Sequence, residues 1–326
     1  MDRPTTTTVH SLVACSIRVG VVGLIVERLT VILPAWNAEK TIGTAVSSIL
    51  RGLPRDGKLL ILNDASSDAT GEILARLTRA DGRVGVLRSD VQLGVARALN
   101  VLIDAADTPL IARMDADDIA LPWRFRHQIP AMYRENLDVV FSPIIAFGPC
   151  PVAIEPQAPV STGPAASPYE LLLADALMHP TLLGRRSTIV GAGGYRRVPA
   201  EDWDLWIRMA LRGSRLGRIA LPTLLYRRHA EQVSATKVWQ KALAHGVETA
   251  QVHQELSQRL LGFSEAGAYT ALSVPSAGPK EVSAAMNLIK AVRMAANAFP
   301  FRDRLSMRTT ARMAMLRMRG IYGTDL

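Results

Sequence analysis

An α/β fold with a mostly parallel sheet, flanked by helices and followed by a helical C-terminal extension, is the fold class this sequence predicts. Three observations predict it. Short β-branched apolar runs alternate with helix-period segments in the first half of the chain, the grammar of strand–helix–strand crossovers. Polar clusters at Pro34–Glu39, Asn63–Asp68 and Asp115–Asp118 follow three of those runs, where open α/β sheets meet their ligands. From Trp239 onward the alternation stops and the chain turns Ala-, Met- and Arg-rich.

The elements follow in order. Leu29 to Leu33 reads as a buried strand stopped by Pro34, and Thr41 to Leu50 as a helix with Ile42, Val46, Ile49 and Leu50 on one face. Lys58 to Leu62 is a second strand, stopped by Asn63-Asp64-Ala65-Ser66, and Asp68 or Thr70 caps the helix Gly71 to Leu77. Val84 to Leu87 is a third strand, Ala96 to Ala106 a helix, and Leu110 to Ala112 a fourth strand that runs into Arg113-Met114-Asp115-Ala116-Asp117-Asp118. Pro122 to Glu135 reads as a helix and Asp138 to Phe141 as a strand. The Pro-rich stretch 149–168 reads as an irregular surface loop, and Trp203 to Leu211 as an amphipathic helix opened by Glu201-Asp202. The implied division is an N-terminal extension (1–28), an α/β domain (29–238) and a helical basic region (239–326), with no internal repeat.

Composition narrows the partners. With 326 residues, 48% of them hydrophobic, the chain can bury a large core. Two cysteines, Cys15 and Cys150, do not suggest a disulfide framework or a thiolate metal site, so a reducing compartment is expected. A net charge of +9 implies something anionic: nucleic acid, an acidic membrane or a phosphorylated small molecule. Aromatics are few and no zinc-finger or RNA-recognition signature is present, so nucleic acid is set aside. Leu12 to Val26 is apolar but interrupted by Arg18 and shorter than the ~18 residues of a membrane span; it reads as a loose extension or an extra strand.

The acidic cluster carries the most chemistry. Three carboxylates in four residues repel one another unless a cation or donors neutralise them. Oxygen ligands at a strand end suit Mg²⁺ or Mn²⁺, which keep open positions for phosphates. The alternative is an acidic loop leading into a helix N-terminus, where the dipole favours Asp.

Residues 29 to 235 resemble the family 2 glycosyltransferases, inverting enzymes of the GT-A fold. Pro34-Ala35-Trp36-Asn37-Ala38-Glu39 resembles P-x-Y-N-x-E, with Trp36 for Tyr, and Asn63 to Thr70 resembles D-D-G-S-x-D-x-T, with Asn63 and Ala65 replacing Asp and Gly. Gly94 to Asn100 is similar to G-x-x-x-A-x-N, Asp115-Ala116-Asp117 to D-x-D, Glu201 to Trp206 to E-D-x-x-L-W, and Tyr226-Arg227-Arg228-His229 to Y-R-x-H.

The resemblance implies a metal-dependent, inverting transfer of a sugar from a nucleotide-diphosphate sugar, uridine-linked by family habit, to a hydroxyl of a glycan or lipid-linked acceptor in cell-envelope or extracellular polysaccharide synthesis. Pro34, Ala35 and Glu39 would bound the base and ribose, and Asp64 would accept a base N–H, unless Asp64 serves an Asx-turn. Arg97 and Asn100 would lie near the donor or on a solvated helix face. Asp117 would bind Mn²⁺ or Mg²⁺ directly and Asp115 would touch the ribose or the metal, while Asp118 positions the pair or caps a helix and Arg113 pairs with the carboxylates. Asp202 would be the base that takes the acceptor proton, with Glu201 as its understudy, orienting Asp202 or the acceptor. His179 and Trp203 would line the acceptor pocket, or His179 would be structural. His229 would complete the metal or diphosphate shell, and Arg227 or Arg228 would meet phosphate or belong to a basic loop.

From Met286 onward eight Lys or Arg residues are opposed only by Asp303 and Asp325, with Met307, Met313, Met315, Leu316 and Met318 interleaved. The pattern fits a helix lying on an anionic membrane, or one packed on the α/β domain with a solvated basic face. The expected location is the cytoplasm, peripherally at the inner face of the plasma membrane. Two rivals are a sugar nucleotidyltransferase, whose first loop would be Gly-rich where Pro34–Glu39 has no glycine, and an inactive membrane-surface homologue.

Overall fold

A computed structural model describes residues 28–148, 154–228, 246–275 and 277–323. The main sheet is built from β1 (Leu29–Ala35), β2 (Lys58–Asp64), β3 (Val84–Ser89), β4 (Leu110–Arg113), β6 (Val139–Phe141), β9 (Leu183–Arg185) and β10 (Leu216–Arg218), in the order β10-β6-β9-β4-β1-β2-β3. Only β9 runs antiparallel to its neighbours β4 and β6. A second sheet of four short strands, β5 (Ile119–Ala120), β7 (Ile144–Phe147), β8 (Ile154–Pro156) and β11 (Leu224–Arg227), has the order β5-β11-β7-β8.

The central strands alternate between two cores, as a sheet covered on both faces requires. Val31 and Leu33 of β1, Leu59 and Ile61 of β2, and Leu110 and Ala112 of β4 join one cluster, whereas Ile32, Leu62 and Ile111 join the other. Helices α1 (Ile42–Gly52) and α2 (Thr70–Ala80) follow β1 and β2; α3 (Val95–Ala105) follows β3, and α4 (Arg124–Arg134) precedes β6. These elements lie where periodicity predicts them, except that β1 runs on through Pro34. Ile32 O faces the β4 side, where it accepts Met114 N–H. Pro34, two residues on, therefore turns its missing donor toward that side beyond the last residue of β4, where no ladder bond is lost.

The Pro-rich stretch is more ordered than its composition predicts. It contributes β8, an isolated bridge from Thr162 to Arg218, and the start of α5 (Ser167–Leu171). Beyond it come a 3-10 turn at His179–Thr181, α6 (Arg186–Gly191) and α7 (Glu201–Leu211), so Glu201 and Asp202 form the first turn of α7.

The C-terminal helices α8 (Val247–Leu261), α9 (Ala268–Ser273), α10 (Pro279–Ala295) and α11 (Phe301–Tyr322) pack onto the α/β part. Leu256, Tyr269, Leu288, Ile289, Met307 and Met318 share one cluster with Trp203, Trp206 and Phe141. Trp203 meets His253 and Tyr269 at ring-centroid distances of 6.1 and 5.1 Å, which joins α7 to α8 and α9. Expectations for residues 1–27 lie outside the described residues.

Candidate active site

Because β1 runs parallel to both β2 and β4, the turns after these strands form one rim at their C-terminal ends. Two turns are laced together. Asn37 Oδ1 accepts Ser67 N–H at 2.9 Å, Asn37 N–H donates to Ser66 Oγ at 3.0 Å, and Ala38 N–H donates to Thr70 Oγ1 at 2.8 Å. Glu39 N–H donates to Asp68 Oδ2 and Ala69 N–H to Glu39 Oε2, both at 3.0 Å, while Asp68 Oδ1 takes Thr70 N–H in an Asx-turn one residue before the N-cap, Ala69. This tight path holds Asn37 and Ala65 in left-handed backbone, with φ of 46° and 55°. Asp64 is buried; its Oδ1 accepts Leu93 N–H at 2.7 Å and its Oδ2 accepts Gly94 N–H at 3.0 Å, which fixes the start of α3. Trp36 stands on this rim with 54% of its surface exposed.

The acidic cluster is built on a buried cation. Arg113 closes both ends of its guanidinium on Asp115 at 2.5 Å. Asp118 is almost fully buried; its Oδ1 accepts Arg227 N–H at 2.8 Å and its Oδ2 has no hydrogen-bond partner among the described residues. Arg227 Nε donates to Asp117 O at 2.9 Å, so β11 clamps the cluster from the second sheet. One oxygen from each of Asp115, Asp117 and Asp118 lies within 4.8 Å of the others. Burial and the Asp115 and Asp117 charges push the Asp118 carboxyl well up, and burial raises Asp115 against the pull of Arg113. An orphaned buried oxygen among three convergent carboxylates is what a divalent cation would relieve, and an all-oxygen set suits Mg²⁺ or Mn²⁺. The residues fit the ion.

The opposite wall begins at α7. Ala200 precedes it in left-handed backbone, φ 54°. Asp202 Oδ1 accepts Trp203 N–H at 2.9 Å, and its Oδ2 lies 3.5 Å from His179 Nδ1. His179 Nε2 is 2.8 Å from the Tyr195 hydroxyl. Burial, with Arg113 nearby, drives the His179 imidazolium value far down, so the ring is neutral. Glu201 is pushed up to about 7 by burial and by the Asp202 charge. Although Asp175 reaches solvent, desolvation in the crowded cleft and the Asp202 charge push its carboxyl well up, and it meets Asp202 as a hydrogen-bond donor. Asp202 also raises Asp115 through space, so the two acidic groups lie near enough to feel each other's charge.

Residues 30–199 match the family described as Glycosyl transferase family 2. The chain belongs to this family. The putative glycosyltransferase EpsE of Bacillus subtilis (strain 168) is 27% identical over 197 residues, covering 58% of this chain and 68% of that protein. The Escherichia coli UDP-Glc:alpha-D-GlcNAc-diphosphoundecaprenol beta-1,3-glucosyltransferase WfaP is 26% identical over 216 residues, 65% of this chain and 81% of that one. The S. aureus TarS 1-349 structure in complex with UDP-GlcNAc superposes with a TM-score of 0.56 at 18% identity, over 89% of each chain. The fold is GT-A and the protein is a glycosyltransferase.

Several site expectations for this glycosyltransferase are corrected by burial. Trp203 is 4% exposed and donates its indole N–H to Leu171 O at 2.9 Å, so it belongs to the core rather than an acceptor pocket. His179, 7% exposed with both ring nitrogens facing Asp202 and Tyr195, stands behind the cleft wall. Ala35 is buried, and Glu39 and Asp64 engage backbone amides, so these side chains brace the rim turns rather than project from them. Arg97 is exposed on α3, whereas Asn100 turns inward to Tyr195. His229 lies outside the described residues. Asp118, Tyr195 and Asp175 are the additions: Asp118 was visible as the third acid of the cluster, whereas no local signal marks the other two.

Proposed function

We propose that this glycosyltransferase moves a sugar, with inversion, from a nucleotide-diphosphate sugar to a hydroxyl of a glycan or lipid-linked acceptor, with Mn²⁺ or Mg²⁺ bound by Asp117, Asp118 and Asp115. The buried oxygen of Asp118, without a hydrogen-bond partner among the described residues and grouped with the oxygens of Asp115 and Asp117, carries this reading. When bound, the cation supplies Lewis-acid neutralisation of charge on the departing diphosphate. Asp202 accepts the acceptor O–H proton as that oxygen bonds to the anomeric carbon; the bond from this carbon to the phosphate oxygen breaks, and the nucleoside diphosphate leaves with the electron pair. Trp36 offers an exposed ring for the base to stack on, beside turns fixed by Pro34, Glu39 and Asp64. A uridine donor is supported by TarS holding UDP-GlcNAc and by the UDP-Glc named for WfaP. The test is transfer or slow hydrolysis of UDP-sugars with Mn²⁺ by the wild type and by Asp117→Ala; activity undiminished in the variant removes the metal assignment.

The acceptor named for WfaP is a diphosphoundecaprenol, and an anionic membrane carrying such a lipid is the partner proposed for the C-terminal helices. No helix among the described residues is long and apolar enough to cross a membrane. Helix α11 is instead apolar on two sides. Met307, Ala311, Ala314 and Met318 face the core, while Phe301, Leu305, Met313 and Leu316 are exposed among Arg308, Arg312 and Arg319. Its one acid, Asp303, is buried against Gly163 N–H, so the outward face is wholly basic and apolar, as a headgroup layer of anionic lipid requires.

A further inference from the structure

We infer that Asn100, Tyr195 and His179 form a positioning relay that fixes the carboxylate of Asp202, so that α3, whose start is set by Asp64, also governs how the acceptor is deprotonated. The inference rests on the reading of Asp202 as base. Its links are all local geometry. Asn100 exchanges two hydrogen bonds with the backbone of Tyr195, donating from Nδ2 to its carbonyl at 2.8 Å and accepting its N–H at 2.9 Å. Gly194 makes this approach possible: its φ is +64°, and a Cβ there would fall 2.7 Å from Asn100 Oδ1. Tyr195 is thereby held with its buried hydroxyl 2.8 Å from His179 Nε2. The imidazole is boxed by the rings of Tyr195 at 5.2 Å and Trp206 at 5.6 Å, which leave it little room to rotate.

The relay also selects a tautomer. If Nε2 carried the proton, a bare Nδ1 lone pair would face the Asp202 carboxylate. With the Tyr195 hydroxyl donating to Nε2, the proton sits on Nδ1, the nitrogen that lies 3.5 Å from Asp202 Oδ2. That contact is long, as catalytic hydrogen bonds often are before substrate binds. The other oxygen is fixed by Trp203 N–H at 2.9 Å. The other titratable and charged groups around Asp202 are Glu201 on the same helix, Asp175 before the 3-10 turn, Arg113 and Asp115 after β4, and Tyr269 on α9. Arg113 is bonded to Asp115, so the donors that reach Asp202 are Trp203 N–H, the raised Asp175 carboxyl and, from the buried side, the neutral His179 ring.

The test compares His179→Leu, which deletes the donor, with His179→Asn, which keeps an N–H near the Nδ1 position, and Tyr195→Phe, which releases Nε2. With UDP-sugar and Mn²⁺, His179→Leu and Tyr195→Phe should lower kcat about 10- to 100-fold at unchanged donor KM, and the acid limb of the rate profile should move to higher pH. His179→Asn should restore most of the rate. Nitrogen NMR of the wild type, which needs no substrate, should show a neutral His179 with Nδ1 protonated. A His179→Leu enzyme that melts normally and keeps both kcat and pH profile overturns the relay, as does an Nε2-protonated ring in the wild type. A wild type that consumes no nucleotide-sugar defeats the base assignment instead, and the spectrum still decides the relay.

Discussion

Nδ1 of His179 stands 3.5 Å behind Oδ2 of Asp202, so the proposed base is backed by a buried neutral ring rather than by a cation. Asp202→Asn should bind nucleotide-sugar as well as the wild type and lose transfer by about 10²- to 10⁴-fold. Donor titration beside a transfer assay checks this. Undiminished transfer would move the base elsewhere.

Asp118 is buried with one oxygen unpartnered, and that makes it the sharper probe of the ion. Asp118→Asn preserves shape and removes charge. Its melting temperature without metal should equal or exceed that of the wild type, because a crowded buried carboxylate disappears. Added Mn²⁺ should stabilise the wild type and leave the variant nearly unmoved, as thermal melts with and without Mn²⁺ would show. Equal stabilisation of both would place the ion away from this cluster.

The pH dependence of stability follows from Glu201, raised from 4.5 to about 7 by burial and by Asp202. Between those values the folded chain keeps a proton that the unfolded chain has released. Stability should therefore fall as pH rises through this window, and Asp118 acts in the same direction. Glu201→Gln should flatten the fall by about 1–3 kcal/mol, measured by urea unfolding at pH 5 and pH 7.5 without metal. A wild type more stable at pH 7.5 than at pH 5, with Glu201→Gln following the same curve, would contradict this.

Ala65 adopts φ 55°, a conformation that favours glycine. Ala65→Gly should relieve that strain at some cost in unfolded-state entropy, for a net gain of up to about 1 kcal/mol, and Ala65→Val should lose more than that. Calorimetry orders the three proteins, and a glycine variant melting below the wild type would refute the assignment of strain.

The outward face of α11 predicts lipid selectivity. The full chain should float with vesicles rich in phosphatidylglycerol and not with pure phosphatidylcholine, and Phe301→Glu/Leu305→Glu should abolish flotation without lowering the melting temperature, because both side chains are exposed. Wild-type flotation on neither vesicle, or a double variant that floats like the wild type, would assign the face to a protein partner or to solvent.

The legible parts of this chain were those in which one signal runs over many residues. β1 to β4 and the helices between them carry long apolar runs or clear helical periods. Strands β5 and β7 to β11 span two to four residues each, too few to show a period, and their pairing is decided by the rest of the fold. In the site, the acidic cluster was visible because its carboxylates are neighbours in sequence. Its buried orphan oxygen was not, because burial depends on β11, more than 100 residues away. Trp203 and His179 were expected to line an acceptor pocket and are instead buried beside Asp202, because a motif does not say whether a side chain faces cleft or core. Tyr195 had no local mark; its partner Asn100 is 95 residues distant.

The central claim is that the Asp115–Asp118 cluster holds a divalent cation, and through it a nucleoside diphosphate. Calorimetric titration of UDP into the wild type and Asp117→Ala, each with Mn²⁺ and with chelator, tests it most directly. The account predicts UDP binding that requires Mn²⁺ and disappears in Asp117→Ala; UDP binding of equal strength with chelator, and undiminished in the variant, would contradict it.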